Sequence, residues 1–429
     1  MVQPAQQNVE SLPSLAQFTF PPETQLIPEN EYVDLEIIDL SKLHHCNLND
    51  EEDNESLQDI TKRVMRGLST TGFLALKGHG LTAADLQHQF ALGKLLLYDV
   101  SEEEKAELIA SIKEGSWAGY KACYPKSTVP PQGYFTRPHG GKDVMEHYDL
   151  YPFTAIESRL PNIAKPYLSD IRSFIEHNHY HILKKVLYII SKGLGLESEM
   201  QVDPDLVVDP FSQDVNGRLW KLHHREGSQD TDDILRRSTN DKVEWKHTKD
   251  HLRYVLYHPQ DEENRERHKH LLLPGHTDLG SVTFLYSQPV AGLQVRMTTG
   301  EWKYIRYYKD HIVLSLGDSM EFLTGGILKA APHRVKEPPE DQRQLDRLGL
   351  FYFVPFLGDV PLAPINHPAL SRQGSKDIFK EYYDHGGKPM LSNDWLVERS
   401  KLIGTKRPTD EKDGARKALY DIAYRYNSA

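Results

Sequence analysis

Short runs of β-branched and aromatic residues dominate the chain between residues 251 and 360. Gly, Pro and Asp turns separate these runs, which is typical of a sandwich or barrel and not of a parallel α/β sheet. The sequence therefore predicts a mainly β unit in this region. Its predicted strands are LRYVLYHP, LLLPGHTD, SVTFLYS, GLQVRM, WKYIRYY, HIVLSLGD, KAAPHRV and LGLFYFVPF.

Before this unit, apolar residues recur at helical spacing. The clearest case lies between Pro166 and Leu194, where the spacing predicts a long helix that ends at Gly193. We divide the chain into an extended arm (1–33), a region with helices packed on the core (34–210), a charged surface insertion (211–250), the strand-rich core (251–360) and a helical C-terminal extension (361–429).

Charge and composition narrow the function classes. The formal net charge is −11 and the pI is near 6.0, which argues against nucleic acid or an anionic membrane as partner because phosphate binding needs an excess of Lys and Arg. We expect a protein that acts on a small-molecule substrate. With only Cys46 and Cys123 present and no signal-peptide pattern at the start, we expect a cytoplasmic location. The oligomeric state is left open.

Three residues form a candidate metal site. His276 and Asp278 are two apart in a predicted strand, so both side chains lie on one face. His333 follows at the end of KAAPHRV, and closure of a barrel can bring it to the same ion. Two imidazoles and one carboxylate leave three octahedral positions open, which suits Fe(II) that must bind O2 and a chelating co-substrate. A zinc hydrolase could use these ligands, but the general base and the short ligand spacing it would need are not evident.

His-x-Asp triplets also occur by chance in a chain with 21 histidines. His147 and Asp149 form such a triplet, which we interpret as a decoy. The surroundings of His276 distinguish it, because a Pro-Gly precedes it, a glycine and an apolar strand follow it, and a second histidine lies at barrel-sized separation.

These motifs lead to a family resemblance. HTDLGSVTFLY, AGLQV, LSLGDSMEFLTGG, PHRV and RLGLFYF resemble, in order, the signature of isopenicillin N synthase-like 2-oxoglutarate/Fe(II)-dependent dioxygenases, and VDLEIIDLS and TTGFLALKGHGL resemble the family's opening strands. The resemblance covers residues 34 to 360, and the C-terminal helices resemble fungal members more loosely. It implies an α+β fold with a double-stranded β-helix, or jelly roll, as its core, and His276, Asp278 and His333 as the metal triad.

The resemblance also implies a co-substrate site. Arg347 matches the family arginine that binds the distal carboxylate of 2-oxoglutarate, for which a planar guanidinium is suited. Gly349 stands where relatives have a serine, and His258 in LYHP stands where we expect the family tyrosine. Tyr120 and Lys121 fall in a stretch that faces the pocket in relatives, so they are candidate substrate contacts.

The expected reaction couples O2 and decarboxylation of 2-oxoglutarate to oxidation of a small organic substrate, with release of succinate and CO2. Hydroxylation, desaturation and rearrangement all stay open, and resemblance to fungal enzymes suggests a secondary metabolite. Two alternatives stand besides zinc hydrolysis. One is an iron oxidase of the same fold that uses no keto acid, which the missing serine at position 349 keeps open. The other is a non-catalytic jelly-roll binding protein.

Overall fold

The computed structural model describes residues 15–43, 51–112, 116–123, 142–151, 156–196, 218–223, 249–402, 407–408 and 413–426. Between Leu271 and Leu316 the connections between strands are short and contain Gly, Pro or Asp, as the sequence pattern predicts. The strands of these ranges are β1 (Tyr32–Val33), β2 (Glu36–Asp39), β3 (Phe73–Lys77), β4 (Gly119–Lys121), β5 (Met145–Leu150), β6 (His251–Tyr257), β7 (Leu271–His276), β8 (Val282–Tyr286), β9 (Leu293–Arg296), β10 (Trp302–Ile305), β11 (Ile312–Leu316), β12 (His333–Lys336) and β13 (Arg347–Val354).

The strands form two sheets that pack face to face. The larger sheet has the order β2-β3-β11-β8-β13-β6-β5-β4 and the smaller one β1-β10-β9-β12-β7. Apolar side chains from both sheets, such as Val313 of β11 and Val295 of β9, meet between them. This arrangement is the jelly-roll core that the sequence predicts. Side chains from both sheets can meet in the space between them.

Helices cover the outer face of the larger sheet and bury most of the apolar core there. Such packing is possible because alternate strand residues point to opposite faces, so that one strand serves two cores. The helices of the described residues are α1 (Glu51–Thr70), α2 (Ala83–Lys94), α3 (Glu102–Glu107), α4 (Ile156–Arg159), α5 (Leu168–Glu176), α6 (Lys184–Leu194), α7 (Arg218–His223), α8 (Glu262–Arg267), α9 (Asp318–Leu323), α10 (Pro368–Arg372), α11 (Lys380–Asp384), α12 (Ser392–Leu402) and α13 (Gly414–Ala423).

The long helix predicted up to Leu194 is present as α5 and α6 joined by a π-helical stretch, His177–Leu183. Its stop is Gly195, which adopts the left-handed conformation at φ 72° that glycine tolerates best. The predicted stop at Gly193 is therefore wrong by two residues. Gly193 lies inside α6, where a Cβ would overlap the side chain of Met65.

The larger sheet crosses the segment boundaries drawn from sequence. β3 pairs with β11 and β5 pairs with β6, so residues 34–210 contribute strands as well as helices to the core. Most of the charged insertion at 211–250 lies outside the described residues. In the part of the chain that the structure describes, no helix is both long enough and apolar enough to span a lipid bilayer.

Candidate metal centre

The three predicted ligands meet at one end of the space between the sheets. β7 ends at His276 and β12 begins at His333, and the two residues are direct partners across these antiparallel strands. Asp278 follows in the turn after β7. Nε2 of His333 lies 3.8 Å from Oδ1 of Asp278, and one ligand atom from each of the three residues lies within 4.8 Å of the others. This separation leaves room for one ion.

Both imidazoles are oriented by backbone carbonyls. Nδ1 of His276 lies 3.0 Å from the carbonyl oxygen of Pro274, and Nδ1 of His333 lies 2.8 Å from that of Ala331. A ring nitrogen that contacts a carbonyl must carry the proton and donate it, so each neutral ring keeps the lone pair on Nε2. This tautomer is the one that a metal needs, and carbonyl partners of this kind are typical of metal-bound histidines.

The electrostatics of the triad also favour a cation. Burial and the neighbouring ring of His333 lower the pKa of His276 to about 3, so that this imidazole is neutral near pH 7. Burial opposes ionisation of Asp278, but the neighbouring histidines and hydrogen bonds from Thr283 and Ser315 together outweigh it and lower the pKa of this carboxyl. Ser315 of β11 donates its hydroxyl to Oδ2 of Asp278 at 3.2 Å. The centre therefore presents two imidazole nitrogens and one carboxylate, a set that fits Fe(II).

The turn that carries Asp278 is packed directly on the start of α9. The backbone N–H of Asp318 donates to the carbonyl oxygen of Asp278 at 2.8 Å, and that of Ser319 donates to Gly280 at 3.0 Å. Gly317 makes this approach possible, because a Cβ there would overlap the carbonyl oxygen of Gly280. The Gly-Asp of LSLGD is thus a turn that supports the metal centre.

Arg347, at the start of β13, is a buried cation without a carboxylate partner among the described residues. Only 4% of it is exposed, its Nε donates to the carbonyl oxygen of Val290 at 3.1 Å, and its guanidinium lies 5.7 Å from the ring centre of Tyr257. Burial lowers the pKa of Arg347, with Tyr257 opposing that change. A buried charge of this kind is costly unless an anion offsets it, so the residue is suited to a carboxylate ligand.

The space for the missing serine is filled by apolar atoms. A Cβ on Gly349 would lie 2.7 Å from the ring of Phe351 and 2.9 Å from Val255. Because both neighbours already occupy this volume, a hydroxyl cannot be added at position 349 without moving them. At position 349, where relatives have a serine, the side chains of Phe351 and Val255 therefore fill the space that a serine side chain would occupy.

His258 forms hydrogen bonds with two carboxylates. β6 places Tyr257, one residue earlier, directly opposite Arg347 in register, and alternate strand residues face opposite sides. His258 instead has Nε2 2.8 Å from Glu146 and Nδ1 3.0 Å from Asp346. Burial opposes its charged form, but hydrogen bonds to Asp346, Cys123 and Glu146 raise the pKa of His258 to about 11. Tyr257 is therefore the residue of this strand end that lies beside Arg347, which the motif could not show because it does not indicate the face of the strand.

The two candidate substrate residues lie on opposite faces of β4. Tyr120 is part of the helix-covered core, is 1% exposed, and its hydroxyl contacts Glu146. Its partner in register is Tyr148 on the same outer face. Lys121 partners His147 on the inner face and is fully buried, with Nζ 2.6 Å from Oδ2 of Asp143. Of the two, only Lys121 lies on the side of the sheet that faces the metal centre.

The decoy triplet is a buried ion pair. Arg253 of β6 contacts both carboxylate oxygens of Asp149, at 2.6 and 2.5 Å, and His147 lies 3.0 Å from the same carboxylate. Burial lowers the pKa of His147 to about 4. An arginine that already neutralises Asp149 removes the negative charge that a metal would need, so the interpretation of this triplet as a decoy is consistent with the structure.

Known protein families account for the same segments. The profile of the 2OG-Fe(II) oxygenase superfamily matches residues 250–354, which contain the triad and Arg347. The profile described as "non-haem dioxygenase in morphine synthesis N-terminal" matches residues 35–165. Together they account for more than half of the chain. The chain belongs to the 2-oxoglutarate/Fe(II) oxygenase superfamily.

Relatives of this oxygenase occur in fungi and other eukaryotes. A protein of Schizosaccharomyces pombe, UPF0676 protein C1494.01, is 25% identical over 315 residues, which cover 71% of this chain and 80% of the relative. The 2-oxoglutarate-dependent dioxygenase FG08081 of Gibberella zeae is 27% identical over 196 residues, or 46% of each chain. The 2-oxoglutarate-dependent dioxygenase iboH of Amanita muscaria is 33% identical over 103 residues, which cover 23% of this chain and 48% of the relative.

Solved structures show the same fold. A full-length protein of Neurospora crassa, solved in complex with α-ketoglutarate, superimposes with a TM-score of 0.60 at 19% identity, covering 89% of this chain and 100% of the other. The rice dioxygenase for auxin oxidation superimposes with a TM-score of 0.52 at 16% identity, covering 85% and 99%. The predicted jelly roll is confirmed, and so is the prediction of a non-haem iron dioxygenase that uses Fe(II) and 2-oxoglutarate.

Proposed function

We propose that His276, Asp278 and His333 hold the Fe(II) of this oxygenase and that Arg347 binds the distal carboxylate of 2-oxoglutarate. The observation that carries the proposal is the paired orientation of the two imidazoles, whose Nδ1 atoms are both bound to carbonyl groups, so that both Nε2 lone pairs are free beside a carboxylate. The uncompensated cation of Arg347 supports the second half of the proposal.

Fe(II) with 2-oxoglutarate supplies the activation of O2 and the two-electron oxidation of a substrate C–H bond, with succinate and CO2 as products. The protein's own residues bind and orient. The backbone carbonyls of Pro274 and Ala331 fix the tautomers of the ligands. Ser315 holds one oxygen of Asp278, which would leave the other oxygen available to the ion. Arg347 would orient the keto acid through its distal end, which leaves the chelating end for the metal.

The inner face of the sheet near the triad supports a small organic substrate. Phe353 is the register partner of Thr283, which contributes to the hydrogen bonding of Asp278. The guanidinium of Arg253 lies between aromatic rings, 4.9 Å from Phe353 and 5.0 Å from Trp117. Arg253 is neutralised by its carboxylate partner, so this wall offers flat apolar surfaces and little net charge. Such a wall suits a small, largely apolar metabolite. That the protein does not bind nucleic acid stays a prediction from its net charge.

Lys121 is the nearer of the two substrate candidates, but it is fully buried in its ion pair. We propose that it acts on substrate only indirectly, by fixing the edge of the inner face. Tyr120 contributes to the packing of the outer face. The location of the protein in the cell and its segment boundaries stay predictions.

Anaerobic titration with Fe(II) and 2-oxoglutarate tests the proposal. The wild-type protein should develop the visible charge-transfer band of the iron–keto acid chelate, and His276→Ala should abolish it. Under air, wild-type protein with 2-oxoglutarate should form succinate slowly even without substrate. His270→Ala, which changes a half-exposed histidine outside the triad, is the matched control and should behave as wild type. A His276→Ala protein that keeps the band at wild-type iron affinity would exclude this ligand assignment.

A further inference from the structure

Two buried carboxylates of α9 connect the C-terminal end of the described chain to the metal centre. Asp318 and Glu321 lie one helical turn apart and are 0% and 3% exposed. Both accept a hydrogen bond from Nη2 of Arg425, at 2.8 and 2.7 Å. The hydroxyl of Tyr426 donates to the second oxygen of Glu321 at 2.7 Å. Arg425 and Tyr426, which follow α13, are called the C-terminal brace below.

Asp318 connects Arg425 to the segment that carries the proposed ligands His276 and Asp278. The oxygen that binds Arg425 also accepts the hydroxyl of Thr277 at 2.7 Å, and the backbone N–H of Asp318 donates to the carbonyl oxygen of Asp278 at 2.8 Å. Thr277 lies between the two ligands His276 and Asp278. Any displacement of the Asp318 carboxylate therefore moves the segment that carries both of them.

Two sets of hydrogen bonds connect the C-terminal brace to the segment that carries His333. Glu321 accepts the backbone N–H of Ala330 at 3.2 Å, and the next residue, Ala331, supplies the carbonyl that orients His333. The carbonyl oxygen of Tyr426 accepts a hydrogen bond from Nη1 of Arg296 at 2.8 Å. The backbone N–H of Arg296 in turn donates to Pro332, directly before His333, at 2.9 Å.

We propose that Arg425 is a positioning residue of the metal centre, which sets the separation between the His276–Asp278 segment and the His333 segment. This inference rests on the proposed assignment of the triad. Without Arg425, two buried carboxylates one turn apart would lose the cation that holds them together, and the segments that carry His276, Asp278 and His333 would move with them. Lys329 is 3.8 Å from Glu321 but more than half exposed, so it cannot replace a buried guanidinium.

The expected loss of Fe(II) affinity without Arg425 can be judged from metal sites in which a residue that orients a ligand is removed. Ligand geometry must be held to about 0.5 Å for full function, and loss of a residue that orients a ligand weakens metal binding by roughly 10–100-fold. Arg425 touches no ligand directly, but it is hydrogen-bonded to both groups that fix the two segments. We therefore expect Arg425→Gln to fall within this range for Fe(II).

The experiment measures Fe(II) affinity in the full-length protein. Anaerobic titrations with saturating 2-oxoglutarate, followed through the charge-transfer band, compare wild type, Arg425→Gln and Arg407→Gln. Arg407 is the matched control because it also pairs with a carboxylate near the C-terminus, Asp421, but is half exposed and has no described contact with α9. We expect a dissociation constant about 10–100-fold higher for Arg425→Gln and within about twofold of wild type for Arg407→Gln.

A purely structural role predicts a different result. Urea unfolding of the metal-free proteins shows whether Arg425→Gln is folded, and Arg425→Lys tests whether a cation that reaches one carboxylate restores part of the affinity. A folded Arg425→Gln protein with wild-type Fe(II) affinity and an unshifted band would overturn the proposal. A wild-type protein without any band would refute the triad assignment instead, so the two failures are distinguishable.

If Arg425→Gln does not fold, Tyr426→Phe decides the question. This change removes one hydroxyl and leaves both carboxylates paired with Arg425. The proposal requires a measurable loss of Fe(II) affinity, smaller than that of Arg425→Gln, with little change in the unfolding of the metal-free protein. Unchanged affinity in Tyr426→Phe would then count against the brace.

Discussion

Replacement of Arg347 by glutamine tests the co-substrate site most directly. The side chain is 4% exposed and its cation has no carboxylate partner in the described chain. If it binds the distal carboxylate of 2-oxoglutarate, Arg347→Gln removes charge-assisted hydrogen bonds that contribute about 1.5–3 kcal/mol each. It also leaves the ligand's carboxylate in a poorly solvated place. Truncation of one partner in such a pair costs about 2–5 kcal/mol.

A loss of about 3 kcal/mol corresponds to an increase of roughly 100–200-fold in the dissociation constant, at about 1.4 kcal/mol per factor of ten. The assay is the anaerobic titration of the charge-transfer band with 2-oxoglutarate at saturating Fe(II). Arg267→Gln is the control, because Arg267 lies in a surface ion pair with Glu263 and is about half exposed. Its titration should match that of wild type.

A second ligand isolates the contact from general damage. 2-Oxobutyrate chelates iron with the same keto-acid group but has no distal carboxylate, so its affinity should change little in Arg347→Gln. The reasoning is refuted if 2-oxoglutarate binds the variant as tightly as wild type, or if both keto acids lose affinity by the same factor. The second result would mean that the change disturbs the metal centre and not a carboxylate contact.

Two further changes test the neighbouring interior. His258→Gln should lower the free energy of unfolding by roughly 3–5 kcal/mol near pH 7, because it breaks a buried ion pair, whereas the half-exposed His270→Gln should cost far less. The pKa of His258 is raised from 6.5 to about 11 on folding, so its contribution to stability is complete below pH 6.5 and is lost as the pH rises towards 11. Urea unfolding of wild type and variant at pH 6.5 and 9.5 should therefore show a smaller difference in stability at the higher pH. A constant difference would contradict this assignment. Gly349→Ser should not tighten 2-oxoglutarate binding and should lower the free energy of unfolding by about 1–3 kcal/mol, because Phe351 must move. Tighter binding at unchanged stability would instead show that the interior accommodates the hydroxyl.

The sequence was sufficient for the parts of the fold that depend on local periodicity. Short runs of β-branched and aromatic residues between turn residues predict the strands, and the spacing of His276 and Asp278 puts both on one face of a strand. His333 was a candidate only on the assumption that the sheet closes into a barrel, because no local pattern says which distant strands become neighbours. The structure places it directly opposite His276.

Contacts between residues far apart in the chain account for what was missed. His258 was chosen as a candidate because the motif shows which residue precedes the proline but not which face of β6 is interior. The role of the C-terminal residues was also invisible in the sequence. Arg425 lies more than 100 residues from Asp318 and Glu321, and nothing in the pattern around it distinguishes it from a surface arginine.

The mixed origin of the larger sheet limits how the catalytic unit can be isolated. In residues 251–360 alone, the sheet would keep the order β11-β8-β13-β6 and would lose β3 from one side and β5 from the other. Both outer strands would then expose unpaired backbone groups, which are templates for association with other chains. A fragment with these boundaries contains every proposed iron ligand, yet it should aggregate instead of folding into a minimal enzyme.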